Sequence, residues 1–483
     1  MPALVWFRQD LRLSDNPALA AAVASRQAII PLYCLDDAGG GDWSAGGAQR
    51  WWLHQSLAAL DESLRRRGSQ LIVRRGTSRE IIAELIEETG ADALYWNRRY
   101  EPASSAQDTV IKAALEARGL KVVSCNGRLL NEPWKIRNRS GKPFQVFTPF
   151  WRHCLEQDDP SDPLAAPRSL EAPGRWPNAL ALDALALLPS FRWYDRMARS
   201  WQPGERGATV ALRQFVARTI WSYAETRNIP AIGGTSRLSP HLHFGEISPR
   251  QIWHAVRKRA ERDRLSANEW RTNQFLTELY WREFAYHLLF HFPHTPTAPL
   301  RPEYARFPWQ PDAGQLRAWQ RGATGVPMVD AGMRELWATG WMHNRVRMIV
   351  ASFLVKNLLV PWQHGARWFW DTLLDADLAS NTLGWQWCAG SGADAAPYFR
   401  IFNPVSQGRK FDPEGVYVRS WVPEIGKLPD KYLHAPWTAP PAVLRAAAVE
   451  LGNNYPRPLV DLEQTRARAL QAYQVMRETR GST

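Results

Sequence analysis

The chain is poor in the features that mark several common classes of protein. Its 483 residues include four cysteines, which lie far apart and form no CxxC pair: Cys34, Cys125, Cys154 and Cys388. This spacing argues against a disulfide framework, a zinc site and an iron–sulfur cluster, and it favours a reduced, cytoplasmic compartment. No apolar run approaches the length of a membrane helix, and the N-terminus lacks the order of a signal peptide.

The first 125 residues alternate short apolar strands with helices. We predict strands at 4–7, 28–34, 70–74, 93–96 and 120–124. Five such strands separated by helices indicate a parallel, doubly wound sheet. The loop after the first strand reads RQDLRLSDN, with neither a GxGxxG nor a Walker A motif. A standard dinucleotide or nucleoside triphosphate site is therefore not supported.

The composition changes twice along the chain. Residues 131–200 are rich in Pro, Ala and Asp, which is typical of an irregular connector. From residue 201 onward, apolar residues recur with a spacing near 3.6, which predicts helices that include 268–292 and 344–359. We therefore predict an α/β domain at 1–130, a connector at 131–200 and a large all-α domain at 201–483.

Charge and tryptophan content both bear on the partner. The net charge of +13 indicates an anionic partner such as nucleic acid, and a simple solubility charge is the alternative. The 25 tryptophans allow three interpretations, namely core packing, base stacking and electron transfer. Packing is the default for each one taken alone.

Residues 339–404 mix side chains that ordinary cores keep apart. Asp375 and Asp377 stand among amides, arginines and closely spaced tryptophans. Buried charges are costly unless they are paired, so this mixture indicates a polar cavity suited to a large planar cofactor. Upstream, the loop with Thr235, Ser236 and Ser239 is suited to a pyrophosphate. Helix capping explains the same loop equally well.

Several longer motifs appear in a fixed order. They read LVWFRQDLRLSDNPAL, GTSRLSPHLHFGEIS, ELYWREF, TGWMHNRVRMIVASFLVK, DADLASNTLGWQW and FRIFNP. In these motifs, from Leu4 to about Trp437, the chain resembles the photolyase/cryptochrome family of flavoproteins. Within that family it is most similar to class I cyclobutane pyrimidine dimer photolyases. The resemblance implies an α/β antenna domain and a helical FAD-binding domain.

The resemblance also implies a set of cofactor contacts. They are Tyr223, Thr235, Ser236, Arg237, Leu238, Ser239, Arg347, Asp375, Asp377 and Asn381. Arg347 would pair with Asp375 beside the flavin ring. Asn381 would face flavin N5, where an amide both donates and accepts a hydrogen bond. The plainer alternatives are a helix cap for Asp375 and a turn residue for Asn381.

Three tryptophans match the family's electron relay to the surface. They are Trp385, Trp362 and Trp309. Taken singly, each is more typical of a protein core. A second chromophore, a folate or a deazaflavin, would bind near Asp36 or at 97–101, and the alternative is that this domain binds nothing.

On the substrate side, the matching positions are Glu278, Trp281, Asn344, Met348 and Trp387. A carboxyl and an amide can read pyrimidine edges, and two indoles can enclose a flipped lesion. Arg282, Arg345 and Arg400, with Arg409 and Lys410, are candidate phosphate contacts. Each of these cations is also explained by a solvated surface, and Glu278 by an i, i+4 pair with Arg282.

The resemblance therefore implies light-driven repair of cyclobutane pyrimidine dimers in UV-damaged DNA, by electron transfer from reduced FAD. Glu278 would stabilise the dimer radical anion, and Asn381 would tune the flavin. We expect a monomer without an obligatory protein partner and without a metal. The rivals are a blue-light photosensor, a dark flavin oxidoreductase and a binder of single-stranded DNA.

Overall fold

The computed structural model describes residues 1–395 and 400–478, which fold as two compact units. The first unit comprises Met1–Trp221, Ser236–Pro293 and Leu374–Ala379, and the second comprises Ser222–Thr235, His294–Leu373 and Ser380–Thr483. The first unit therefore combines the α/β segment with helices from the later, all-helical part. The division at residues 130 and 200 follows the change in secondary structure, and as a domain boundary it stays a prediction.

The α/β segment contains the parallel sheet that the strand–helix alternation predicts. Its strands are β1 (Ala3–Phe7), β2 (Ile29–Leu35), β3 (Ile72–Arg75), β4 (Ala93–Asn97) and β5 (Lys121–Cys125). Their order is β3-β2-β1-β4-β5, and every pair is parallel. The order reverses direction between β1 and β4, so helices cover both faces, as in doubly wound folds.

Alternate residues of each strand enter two separate cores. Val5 and Phe7 pack on one face, and Leu4 and Trp6 pack on the other. Strands buried on both faces need continuous apolar runs, and ALVWF is such a run.

The helices run the length of the chain. Those of the first half are α1 (Pro17–Ala24), α2 (Gly47–Arg65), α3 (Ser78–Thr89), α4 (Pro102–Glu116), α5 (Phe147–Leu155), α6 (Asp195–Ser200), α7 (Glu205–Arg218), α8 (Tyr223–Thr226), α9 (Ser239–His243), α10 (Pro249–Arg262) and α11 (Ala267–Arg271). Those that follow are α12 (Gln274–His291), α13 (Ala313–Gln320), α14 (Pro327–Thr339), α15 (Asn344–Ser352), α16 (Trp362–Thr372), α17 (Leu378–Ala389), α18 (Pro404–Phe411), α19 (Val416–Trp421), α20 (Asp430–Leu433), α21 (Pro441–Ala446) and α22 (Leu462–Glu478).

Local capping sets several of these boundaries. Asn16 accepts a hydrogen bond from the Leu19 amide, and Pro17 occupies the first turn of α1, as the sequence predicts. The prediction of one continuous helix from 268 to 292 is wrong in one respect. The first helix, α11, ends at Arg271, and a new helix, α12, begins at Gln274. There the Asn273 side chain accepts from the Phe275 amide and begins α12 anew.

Helix α15 continues differently from the regular helix that the sequence predicts to Leu359. It changes to a single π-helical segment at Phe353–Asn357, which is fully buried. Such segments are rare and cluster at functional sites. Among the described residues, no helix has the length and apolarity needed to cross a bilayer. No group of potential metal ligands occurs in the same part of the chain.

Candidate functional site

Helix α12 of the first unit carries two of the predicted substrate contacts. The Gln274 side chain donates to the Glu278 carboxylate at 2.8 Å, one helical turn away. The Trp281 ring stacks on Phe147 of α5, with centroids 3.8 Å apart and planes within 8°. Both side chains are half-buried, and each is held by a contact within the first unit.

Arg282 is engaged inside the same unit. Its guanidinium donates to the Arg128 carbonyl at 3.0 Å and lies 3.4 Å from the Glu283 carboxylate. Only 12% of its side chain is exposed. A phosphate contact would have to compete with these bonds, and this role for Arg282 stays a prediction.

Asp377 belongs to a buried network that sequence reasoning missed. The Arg128 guanidinium donates to its carboxylate at 3.0 Å, and the Tyr286 hydroxyl donates to the same oxygen. Burial alone would raise the pKa of Asp377, but His243 and Arg128 hold it well below its usual range. One oxygen of Asp377 is therefore used within the protein, and its predicted contact with a cofactor stays a prediction.

The segment with Asp375 and Asp377 is tied down at a second point. The Gln49 side chain donates to the Ala376 carbonyl at 3.1 Å. Asp375 is buried, with 8% of its surface exposed. Arg128 lies in the loop after β5 with no motif around it, so no signal in the sequence could have identified it as the partner.

The loop predicted to hold a pyrophosphate has its last four residues in the first unit. Ser236 accepts from the Leu238 amide at 3.4 Å, and Leu238 is buried while Ser239 is exposed. Arg237 adopts a positive φ of 52°, and its guanidinium lies 4.1 Å from the Trp201 ring centre. The Arg237 side chain therefore packs on an indole, and its predicted contact with the cofactor stays a prediction.

The second unit contributes Tyr223 and Thr235. Tyr223 is buried and Thr235 is half-buried. The Thr226 hydroxyl lies 3.5 Å from the Gly234 carbonyl, and a Cβ at Gly234 would lie 2.7 Å from the Thr226 carbonyl oxygen. This close approach requires glycine immediately before Thr235.

Helix α17 holds Asn381 and Trp385 in fixed orientations. The Asn381 amide nitrogen donates to the Ala366 carbonyl at 3.1 Å. Because a carbonyl accepts only from the nitrogen end, this bond determines which way the amide points. Trp385 is 2% exposed and contacts Phe369 edge-to-face at 5.0 Å.

The other two relay tryptophans line one cavity of the second unit. This cavity has a volume of about 410 Å³, and Trp309 and Trp362 both form part of its wall. Trp362 is 2% exposed, whereas Trp309 is half-buried. The three tryptophans thus include two buried rings and one that reaches solvent, as a relay to the surface requires.

Helix α15 brings several cations together. The Arg345 guanidinium donates to the Asn228 side chain at 2.8 Å, and the Arg347 guanidinium donates to the Met342 carbonyl at 2.7 Å. Burial, with the charges of Arg347 and Arg345, lowers the pKa of His343 to about 4. His343 is therefore neutral near pH 7, and the positive charge resides on the arginines.

The remaining substrate candidates also lie in the second unit. Asn344 is exposed and Met348 is half-buried. Trp387 stacks on Phe402, with centroids 6.3 Å apart, and the Arg400 guanidinium lies 5.4 Å from the same ring. Trp387 and Arg400 therefore share one aromatic support, which places an indole and a cation in one neighbourhood.

The strand ends of the sheet are filled by polar side chains. Asn97 donates to Asp10 and to Asn16, at 2.7 Å each. Asp36 accepts from the Ser78 amide and from the Gln107 side chain, at 2.8 Å each. The edge where doubly wound sheets usually bind ligands is therefore largely satisfied internally, and a second chromophore there stays a prediction.

Comparison with known proteins places these features in a family. A family model described as DNA photolyase matches residues 3–168, and one described as the FAD binding domain of DNA photolyase matches residues 275–475. The chain belongs to the DNA photolyase family. Two photolyase-family models thus cover the α/β segment and most of the helical part, which confirms the expected fold class.

Individual members of the photolyase family are similar over nearly the whole chain. A deoxyribodipyrimidine photo-lyase of Agrobacterium fabrum is 49% identical, covering 99% of this chain and 98% of its own. Cryptochrome-1 of Arabidopsis thaliana is 42% identical, covering 98% and 70%. The crystal structure of a bacterial class III photolyase from Agrobacterium tumefaciens matches with a TM-score of 0.95 at 49% identity, covering 99% and 98%.

The residues of this photolyase-family chain fit FAD. The Trp385 indole N–H is buried, and no described residue accepts a hydrogen bond from it. Leaving such a donor unsatisfied costs about 1–3 kcal/mol, which a bound acceptor would recover. Asn381 on the same helix has its carbonyl oxygen still available, so α17 offers both a donor and an acceptor to a planar cofactor.

Proposed function

We propose that the protein repairs cyclobutane pyrimidine dimers in DNA using light. The observation that carries this proposal is on α12, where Glu278 is held by Gln274 and Trp281 is held by Phe147. A carboxyl and an indole fixed one turn apart suit a flipped pyrimidine pair. Reduced FAD, when bound and excited by light, would supply the electron that splits the dimer and would take it back afterwards, so no net redox change occurs.

The protein's part in this reaction is to bind, orient and neutralise. Glu278 would donate or share a proton with a pyrimidine carbonyl and so stabilise the negative charge that develops there. Trp281 and Trp387 would stack on the lesion, and Asn344 and Met348 would contact its edge and apolar side.

For the cofactor side, we propose contacts from the loop and from α17. Hydroxyls of Thr235, Ser236 and Ser239 suit phosphate oxygens. Arg347 would balance Asp375, and the amide of Asn381 would hold the polar edge of the ring. Tyr223 and Asp377 would complete the set of cofactor contacts.

Photoreduction of the cofactor would use Trp385, Trp362 and Trp309. The first two are buried and the third is half-buried. Substrate phosphates would be held by Arg345 and Arg400, with Arg282 as a third contact. A blue-light photosensor is the alternative, supported by the 42% identity to a plant cryptochrome. Retention of Trp387 on its Phe402 support favours repair.

A structural relative supports a proposal for the branch of the family. Motifs alone led to class I, but the crystal structure 49% identical to this chain is described as class III. We propose the class III branch for this chain. We further propose a location in the cytoplasm, which the four free thiols support. We also propose a monomer without an obligatory protein partner.

The proposal is tested on the full-length protein with FAD bound. The absorption spectrum is recorded first, and a thymine-dimer oligonucleotide is then irradiated with blue light. The expected result is a light-dependent recovery of thymine absorbance at ~260 nm, the usual nucleobase band. Flavin bands and photoreduction without any recovery would instead establish the photosensor.

Glu278 provides the sharpest variant. We expect Glu278→Ala to lower the repair quantum yield about 2- to 10-fold, the factor for one lost hydrogen bond, while FAD stays bound. The control is Glu261→Ala, which removes an exposed glutamate from α10. An unchanged yield in Glu278→Ala would remove the carboxyl from the mechanism.

A further inference from the structure

A run of basic residues extends from before α5 into that helix, and its cations take no part in the sites described above. Residues 133–155 contain no aspartate or glutamate, and their cations are Lys135, Arg137, Arg139, Lys142 and Arg152. We call residues 134–143 the basic loop. Lys135, Arg139 and Lys142 are all exposed.

The basic loop has a defined conformation. Asn138 and Lys142 pair through their backbones, with the Asn138 amide 2.9 Å from the Lys142 carbonyl. The Asn138 side chain accepts from the amides of Ser140 and Lys142, at 3.0 Å each. Arg137 donates back to the Gly141 carbonyl at 3.0 Å, and Gly141 has a φ of +74°. The tip is thus a closed turn that presents its cations outward.

Both ends of the basic loop are anchored on α12. Glu283 accepts from the amides of Leu130 and Asn131, at 2.8 and 3.0 Å. On the far side, the Phe144 amide donates to the His287 ring at 3.0 Å. The helix that carries Glu278 and Trp281 therefore also fixes the ends of the loop.

Only a short stretch of chain separates the basic loop from Phe147, the support of Trp281. Lys142 precedes Phe147 by five residues, which span at most ~18 Å when fully extended. Phe147 is the residue that stacks on Trp281. Because Asn138 pairs with Lys142, the whole tip of the loop lies roughly within this distance of Phe147. Phe147 in turn supports Trp281, the indole predicted to contact the lesion.

The cations of the loop form no ion pair among the described residues, although the charge of Lys135 acts to lower the pKa of Glu132. In residues 1–395 and 400–478, no carboxylate oxygen lies within 4.0 Å of a side-chain nitrogen of Lys135, Arg139 or Lys142. The acid nearest in sequence, Glu132, is occupied by Arg98 at 2.5 Å and by the Tyr100 hydroxyl at 2.8 Å. Like charges held together in a fixed turn repel one another, and a polyanion relieves this repulsion.

We propose that the basic loop binds backbone phosphates of DNA that flank the lesion. This inference rests on the proposed repair function and adds a contact surface outside the lesion pocket. Phosphates are spaced about 3.4 Å apart along each strand of a duplex, so a reach of ~18 Å covers roughly five nucleotides from the lesion. Such contacts add affinity and salt dependence without reading the lesion itself.

The test variant is the triple substitution of Lys135, Arg139 and Lys142 by Gln. We expect it to reduce the slope of log K against log salt by about 2.7 on duplex DNA, or about 0.9 for each contact. At ~0.15 M salt, the affinity for damaged and undamaged DNA alike should fall on the order of 10- to 100-fold. Repair yield at saturating protein should not change.

Two controls separate the loop from net charge and from folding. The first replaces Arg66, Arg79 and Lys112 by Gln, which removes the same charge from exposed positions of the α/β segment. The second exchanges the loop cations conservatively, as Lys135→Arg, Arg139→Lys and Lys142→Arg, and should bind like the wild type. Flavin absorbance and the melting temperature confirm that each variant is folded.

Oligonucleotide length provides an independent readout. With DNA that carries only one nucleotide on either side of the dimer, the loop variant and the wild type should bind equally. Equal weakening by the loop triple and the Arg66, Arg79 and Lys112 triple on long DNA would overturn the inference. Wild-type protein that neither binds nor repairs DNA would instead overturn the proposed function itself.

Discussion

Two regions hold the predicted site residues by different means. In the first unit, Asp377 is fixed by buried charges, with Arg128 at 3.0 Å and Glu101 at 3.8 Å from Arg128. In the second unit, Trp385 is fixed by aromatic contacts with Trp319 and Phe369. One arrangement depends on ionisation, and the other depends on shape.

The difference has a physical consequence for robustness. Burial would raise the pKa of Glu101, but Arg99 and Arg128 lower it to about 2, so this acid stays charged over the ordinary pH range. Its stabilisation is present above pH ~4.5 and is lost only as the pH falls toward 2. The charged network should therefore keep its stability when the pH changes but lose it when one charged partner is removed. The aromatic cluster should keep its stability when nearby charges change but lose it when a substitution adds volume.

The largest effect should come from removing the cation of the charged region. We expect Arg128→Met to destabilise the protein by about 3–5 kcal/mol, because Asp377 and Glu101 would remain charged and buried. Urea unfolding measures the loss, and flavin absorbance reports whether FAD is retained.

Arg128→Lys is the matched control, since it keeps the charge but loses the several directed bonds of the guanidinium. We expect an intermediate loss of stability. If Arg128→Met unfolds at the same urea concentration as the wild type, the charges do not hold this region, and the contrast with the aromatic cluster fails.

A second test uses the acid that anchors the basic loop. Burial raises the pKa of Glu283 to about 7. For an acid with a raised folded pKa, the stabilisation is complete below the unfolded value near 4.5 and is lost as the pH rises through about 7. The Glu283→Gln variant does not titrate, and its carbonyl oxygen can still accept from the Leu130 and Asn131 amides.

We therefore expect the Glu283→Gln variant to gain stability relative to the wild type as the pH rises from 5 to 8, by up to about 3 kcal/mol. Melting temperatures of both proteins across this range measure the difference. A difference that stays constant with pH would show that Glu283 keeps an ordinary pKa, and that burial does not suppress its charge.

The smallest effect should come from the aromatic region. A Cβ at Gly365 would lie 2.0 Å from the far edge of the Trp385 ring. We expect Gly365→Ala to cost about 1–3 kcal/mol through overpacking and to change tryptophan fluorescence. Urea unfolding and emission spectra check both effects.

Gly384 offers an opposite control on a neighbouring helix. Among the described residues, no atom outside the backbone of α17 itself lies within 4 Å of a Cβ built at that position, so Gly384→Ala should stabilise α17 by up to about 1 kcal/mol. If the two substitutions have equal effects, helix propensity rather than ring packing governs this region.

Much of the architecture was predictable from local signals. The apolar run of β1, the Asn16 cap with Pro17 and the Gly90 end of α3 each encode an element within a few residues. The family and its expected cofactor followed from motif order. Breaks such as the one before Gln274 were missed, because one capping side chain outweighs a continuous apolar pattern.

The contacts of individual site residues were less predictable. The sequence suggested Arg282 as a partner for Glu278, but the structure shows Gln274 bonded to that carboxylate. Arg237 is predicted to contact the cofactor, and the structure adds that its guanidinium packs on Trp201. A side chain can bond to any of several neighbours, and tertiary packing determines which of them lies close enough.

The sequence by itself determined the strands, most helices, the family and the residue types available for the chemistry, because these depend on short-range patterns and on motif order. Only the tertiary structure decided that Arg128 neutralises Asp377, that Phe147 supports Trp281 and that α12 anchors the basic loop. Each of these contacts joins residues more than a hundred positions apart, and no local pattern records such a pairing.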